Sequence, residues 1–241
     1  MTTFERPSPN YDTRGASPID MLVLHYTGMQ TGAAALARMC DPASKVSAHY
    51  MIEEDGRVFR LVQEDRRAWH AGVSCWRGQR DVNARSIGIE LVNPGHEFGY
   101  RDFPDRQIAA LVVLAHGILD RNPIPPHNVV GHSDVAPARK TDPGERFPWR
   151  ALAAAGIGLW PRPGASKGFE LARAIEPAQR DFAKIGYAIE ITGVPDEATR
   201  QVVTAFQRRF RQQRVDGVLD DETAALITAV AAACGEAAPS P

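Results

Sequence analysis

The sequence predicts an α/β (α+β) domain, a mixed central sheet flanked by helices, followed by a small all-α three-helix bundle. Three observations carry this reading. Short apolar runs alternate with helical periodicities over residues 1–157, the order expected of a sheet covered by helices. The stretch GLWPRPGASKG at 158–168 then breaks the pattern with prolines and glycines and reads as a linker. Over residues 169–235 only helical periodicity remains.

In chain order, Met21–Leu24 is a short apolar run suited to a buried strand, and the Ala-rich Thr31–Cys40 reads as a helix. Tyr50–Ile52 and Val58–Val62 flank Glu54-Asp55-Gly56, a hairpin turn signal. Ser86–Val92 is a further strand. Asp105–Arg121 repeats apolar residues at helical spacing and stops before Pro123, and Asn128–Gly131 is a short strand entering a loop. Phe169–Gly186, Asp196–Gln213 and Asp220–Ala233 are the three helices of the bundle. Two of their entries match each other: Gly-Val-x-Asp-x-x-Thr begins at Gly193 and again at Gly217, with Asp196 and Asp220 at the N-cap positions.

Lys plus Arg number 28 and Asp plus Glu 29, so no global basic field exists to drive nucleic-acid binding. Arg208, Arg209, Arg211 and Arg214 read as a solvated helix face. Cys40, Cys75 and Cys234 form no Cys-x-x-Cys pair, which argues against a thiolate zinc knuckle and a disulfide framework and fits a reducing compartment. The first twenty residues lack a charged head followed by an apolar run, and no stretch reaches the roughly 18 apolar residues of a membrane span. The expected location is therefore the cytoplasm, with the periplasm as the alternative. No oligomeric state is readable.

His25 follows Met-Leu-Val-Leu, at the end of a buried strand where α/β active sites gather. His132 follows Val129-Val130-Gly131. Asp142 lies ten residues on, in a loop stiffened by Pro137 and Pro143 that can fold back toward His132. Two histidines and one carboxylate leave a tetrahedral zinc one open position, the catalytic pattern. Glu90, an acid inside the apolar SIGIEL, suits a general base, and Lys140 suits a stabiliser of an oxyanion. A competing reading pairs Glu90 with an arginine such as Arg85 and leaves Asp142 a turn residue before Pro143.

Five segments resemble the type 2 N-acetylmuramoyl-L-alanine amidases: MLVLHYTG at 21–28, VSAHYMIEEDGRVFRLV at 46–62, AWHAG at 68–72, NARSIGIELVN at 83–93 and GHSDVAPARKTDPG at 131–144. The resemblance implies a zinc amidase fold and cleavage of the amide between (anhydro-)N-acetylmuramic acid and L-alanine. It implies His25, His132 and Asp142 as zinc ligands, Glu90 as acid/base and Lys140 as transition-state stabiliser. It also sets His49, Trp69, His70 and Asn93 near the substrate. The segments at 185–210 and 216–227 resemble the type 1 peptidoglycan-binding domain. The implied partners are muropeptides or the assembled wall, and no nucleic acid. A recognition protein that binds without cutting would lack a ligand or the acid/base, and none is missing. A zinc peptidase of the His-Glu-x-x-His class lacks its motif here.

Overall fold

A computed structural model describes residues 2–161 and 175–236. Six strands form the central sheet. Three of them, β3 (Met21–Tyr26), β7 (Ser86–Leu91) and β8 (Val129–Gly131), run parallel with β3 in the middle. On the other side of β7 lies β4 (Tyr50–Ile52), also parallel, then β5 (Val58–Arg60) antiparallel to β4, then β1 (Thr3–Glu5) at the edge. A separate ribbon pairs β2 (Tyr11–Thr13) with β6 (Arg66–Ala68). The helices of this part are α1 (Gly32–Cys40), α2 (Val82–Arg85), α3 (Gly95–Phe98), α4 (Asp105–Arg121), α5 (His132–Val135) and α6 (Trp149–Ala154). The bundle helices are α7 (Ile175–Ile185), α8 (Glu197–Phe210) and α9 (Asp221–Glu236). The expected mixed sheet, helical cover and helical C-terminal part are all present. Positions 162–168 of the expected linker, and 169–174 of the expected first bundle helix, lie outside the described residues.

Side chains alternate across a strand, so each face of the sheet has its own cover. Leu22, Leu24, Ile87, Ile89 and Leu91 point to one face and pack on Leu111, Leu114 and Ile118 of α4 and on Trp149 and Leu152 of α6. The second face begins apolar, with Met21 and Val23 of β3, and ends polar, with His25 of the same strand and Glu90 of β7. Two separate clusters cover it. Ala35 and Met39 of α1 pack on Met51, Phe59 and Val92. The bundle packs Phe182, Phe206 and Val202 into a cluster that also holds Met21, Val23, Val130 and Val135. His25 and Glu90 stand at the strand ends that the apolar packing of this face leaves uncovered.

The repeated Gly-Val-x-Asp-x-x-Thr entries have one physical origin. Gln179, fully buried, accepts from the Thr192 and Gly193 N–H groups and donates to the Val194 carbonyl and the Thr199 hydroxyl. Gln207 repeats this with Asp216, Gly217, Val218 and Thr223. Asp196 and Asp220 accept from the N–H groups of Thr199 and Thr223, as N-caps do.

The arginine cluster departs from the expected solvated face. Arg209 and Arg211 are buried, and Arg211 pairs with Asp220 at 2.8 Å and Glu222 at 2.9 Å. The reason is that α8 is the inner helix, buried around most of its circumference through Thr199, Val202, Val203, Ala205, Phe206 and Phe210. Arg214 alone of the four is largely solvated. No helix among the described residues is long and apolar enough to cross a membrane.

Candidate metal centre and catalytic cleft

β3 and β8 each deliver one histidine from adjoining parallel strands, His25 at the end of one and His132 one residue past the other. Asp142 returns to them in a loop tied down by its own carbonyl, which accepts from the Ser133 N–H at 2.9 Å. The Asp142–Pro143 peptide is cis. The three side chains are buried, and their ligand atoms converge. His25 Nδ1 lies 3.0 Å from both His132 Nδ1 and Asp142 Oδ2, and His132 Nδ1 lies 3.1 Å from the same oxygen. Ligands at about 2.0 Å from one tetrahedral ion would stand about 3.3 Å apart. This is the one such His-His-Asp group among the described residues that could hold a metal.

The hydrogen bonds around the rings fix which nitrogen carries the proton. His132 Nε2 donates to the Ala71 carbonyl at 3.0 Å, so Nδ1 keeps its lone pair. For His25 the same result comes through a chain. Ser86 Oγ donates to the Val82 carbonyl and accepts from His70 Nε2 at 3.2 Å. His70 Nδ1 is then an acceptor, and His25 Nε2 donates to it at 3.1 Å. Both metal-facing nitrogens are thus free to ligate, held by outer partners of the kind that orient metal-bound histidines. Burial, helped by His132, lowers the His25 pKa to about 4, so the ring is neutral at pH 7. Burial alone would raise Asp142, but His132 and His25 outweigh it and hold the carboxylate ionised.

Glu90 stands beside His25 in register on the next strand. Burial, with Asp142 adding to it, pushes the Glu90 pKa well above the usual carboxylate range, against the pull of Lys140. Its Oε2 is buried and has no hydrogen-bond partner among the described residues. Arg85 does not pair with it: that guanidinium goes to Asp20. A carboxyl with a buried, unpartnered oxygen next to a convergent His-His-Asp set fits a hydrolytic metal site, and the donor set fits zinc.

These groups line a cleft of about 380 Å³ whose walls include Glu90, His132, Lys140, Asp142, Trp69 and His70. His49 and Asn93 are elsewhere. His49 is fully buried, accepting from the Gly88 N–H through Nδ1 and donating to the Arg66 carbonyl through Nε2. Asn93, equally buried, accepts from the Gly95 N–H and donates to the Arg101 carbonyl. Both side chains are committed to the fold. Trp76 is buried against Tyr187. Sequence reasoning missed Tyr26 and Thr141, whose hydroxyls meet at 2.9 Å on the cleft wall. Their only signal was adjacency to His25 and Asp142. Arg139, also on the wall, had the same signal beside Lys140, whereas Arg38 and Met29 carried none.

Comparison with known proteins agrees with this geometry. A family model described as N-acetylmuramoyl-L-alanine amidase matches residues 15–145, and one described as a putative peptidoglycan binding domain matches residues 173–227. The N-acetylmuramoyl-L-alanine amidase AmiD of Escherichia coli is 39% identical over 230 residues, covering 88% of this chain and 82% of that one. A structure of AmiD from the same species, in complex with the substrate anhydro-N-acetylmuramic acid-L-Ala-D-γ-Glu-L-Lys, superposes with a TM-score of 0.79 at 36% identity, covering 91% of each chain. That of AmpDh3 from Pseudomonas aeruginosa with an anhydromuramic pentapeptide gives 0.76 at 38% identity, covering 93% and 94%. With its motifs, sheet and convergent site in agreement with these matches, the chain belongs to the N-acetylmuramoyl-L-alanine amidase family.

Proposed function

We propose that the chain is a zinc amidase acting on soluble anhydromuropeptides, with His25, His132 and Asp142 as ligands, Glu90 as acid/base and Lys140 as the cation facing the reacting carbonyl. The observation that carries it is the convergence of three ligand atoms beside a carboxyl held protonatable and unpartnered. Bound zinc would polarise the scissile carbonyl and make water a better acid. The chain's own groups move the protons. Glu90 takes one from the attacking water and returns it to the departing nitrogen of L-alanine, a task suited to a carboxyl whose pKa burial raises. Lys140 offers its ammonium to the carbonyl oxygen as negative charge develops there. Trp69 and His70, on the cleft wall, are the proposed substrate contacts; His49 and Asn93 are left out.

The preference for small fragments is supported by the two relatives solved with anhydromuropeptides. It is tested by offering soluble 1,6-anhydromuropeptide and intact sacculi in one reaction. Faster release of stem peptide from the fragment is expected, and faster release from sacculi overturns it. We divide the chain into a catalytic domain at 1–157, a linker at 158–168 and a peptidoglycan-binding-like helical bundle at 169–235. The free thiols of Cys40, Cys75 and Cys234 support a cytoplasmic location, and recovery in a periplasmic fraction would contradict it.

A further inference from the structure

Asp134 stands two residues after His132 and is 1% exposed. A carboxylate this deeply buried destabilises a fold unless it is paired and hydrogen-bonded. Its Oδ2 accepts from the Gly131 N–H at 2.8 Å and so closes the turn from β8 into α5 that aims His132. The Ser133 N–H in that turn holds the Asp142 carbonyl. Asp134, the turn and two of the three proposed ligands therefore form one hydrogen-bonded unit.

The other partners of Asp134 come from the bundle. The Tyr187 hydroxyl donates to Oδ1 at 2.6 Å, and Arg209 Nη1 donates to Oδ2 at 3.1 Å. Both donors are themselves fixed. Arg209 is 4% exposed, with its guanidinium 4.4 Å from the Trp149 ring centre and 4.9 Å from that of Phe210. Tyr187 meets Trp76 edge to face at 5.2 Å, and the indole N–H of Trp76 donates to Asn128. Rings from both parts of the chain thus hold the two donors on one carboxylate.

We propose that Arg209 and Tyr187 are positioning residues for His132, acting through Asp134, so that the bundle is part of the metal centre. This rests on the reading of His25, His132 and Asp142 as a metal site. It differs from packing alone, which would make these contacts matter to stability and not to the metal.

The test uses the full chain, stripped of metal and titrated with zinc against a fluorescent chelator, with the metal-free Tm measured in parallel. Arg209→Met is expected to weaken zinc binding about tenfold, in the range seen when outer partners of metal ligands are removed. Tyr187→Phe, which removes one oxygen atom, weakens it several-fold. Arg200→Ala, on an exposed pair with Glu197, leaves it unchanged. The double variant Asp134→Leu/Arg209→Met removes both charges together. Its metal-free Tm recovers toward that of the unaltered chain, while zinc affinity stays low because the Gly131 N–H has lost its acceptor. A fall in Tm with zinc affinity intact in Arg209→Met and Tyr187→Phe overturns the proposal, as does recovery of affinity along with Tm in the double variant. If Arg209→Met fails to fold, Tyr187→Phe decides. Failure of the unaltered chain to bind zinc would overturn the metal reading as well, a result distinct from unchanged affinity in the variants.

Discussion

At the scale of single residues, the proposed chemistry depends on one carboxyl being unlike the others. Glu54, Glu64 and Glu145 each have a cationic or histidine partner, whereas Glu90 has a buried oxygen with none among the described residues. Glu90→Gln keeps the shape and removes the proton traffic. Its kcat is expected to fall by about a hundredfold or more, with zinc content unchanged, as for loss of a general acid–base. Activity close to that of the unaltered chain, with zinc bound, would end the role. Much of this was legible before the fold was known. An acid in SIGIEL and two histidines after apolar runs are anomalies that call for partners. The state of the other histidines was not legible. His49 and His70 lie in similar motif segments, yet one is sealed by Gly88 and Arg66 while the other lines the cleft. That difference is set by strands distant in sequence.

At the scale of elements, β7 carries two demands on alternate positions of one face. Glu90 faces the cleft, and Gly88 makes room for the His70 ring. A Cβ at Gly88 would sit 2.5 Å from that ring, far inside contact. Gly88→Ala therefore pushes His70 away from His25 and Ser86. Zinc affinity measured by chelator competition should drop about tenfold. An unchanged affinity would show that the His25–His70–Ser86 chain does not orient the ligand. The sequence reading placed β4 and α4 at their observed limits and β3 and β7 within two residues, because each presents an apolar run or stripe. It did not find β1, β2 or β6. Those strands are three residues long and mostly exposed, so no apolar pattern marks them, and their pairing depends on remote partners. The bundle repeat was visible, but the glutamines that enforce it sit outside the repeated motif.

At the scale of the whole molecule, several buried rings give the metal-free fold an acid weakness. Burial lowers His25 to about 4 and His49 to about 3, from 6.5. As pH falls below about 6.5 the unfolded chain protonates these rings while the folded chain does not. The unfolded state then binds more protons, and stability drops until the folded values are reached. Tm of the metal-free protein should therefore decline steadily from pH 7 toward pH 4. His49→Gln, although less stable at pH 7, should show a shallower decline. A decline of equal steepness would remove His49 from this account. The sequence also suggested a catalytic unit and a separate bundle. One apolar cluster joins Met21, Val23 and Val135 to Phe182 and Phe206, a contact between the two that no local pattern could announce because its halves lie far apart in sequence.

The central claim is that a metal held by His25, His132 and Asp142 cuts the bond between sugar and peptide. Its most direct test is the mass of the products from a defined 1,6-anhydromuropeptide. The reaction is run with the chain as purified, after chelation, and after zinc is restored. The account predicts an intact stem peptide beginning with L-alanine and a sugar free of it, lost on chelation and regained with zinc. Sugar still carrying L-alanine, or turnover that survives complete removal of metal, would contradict it.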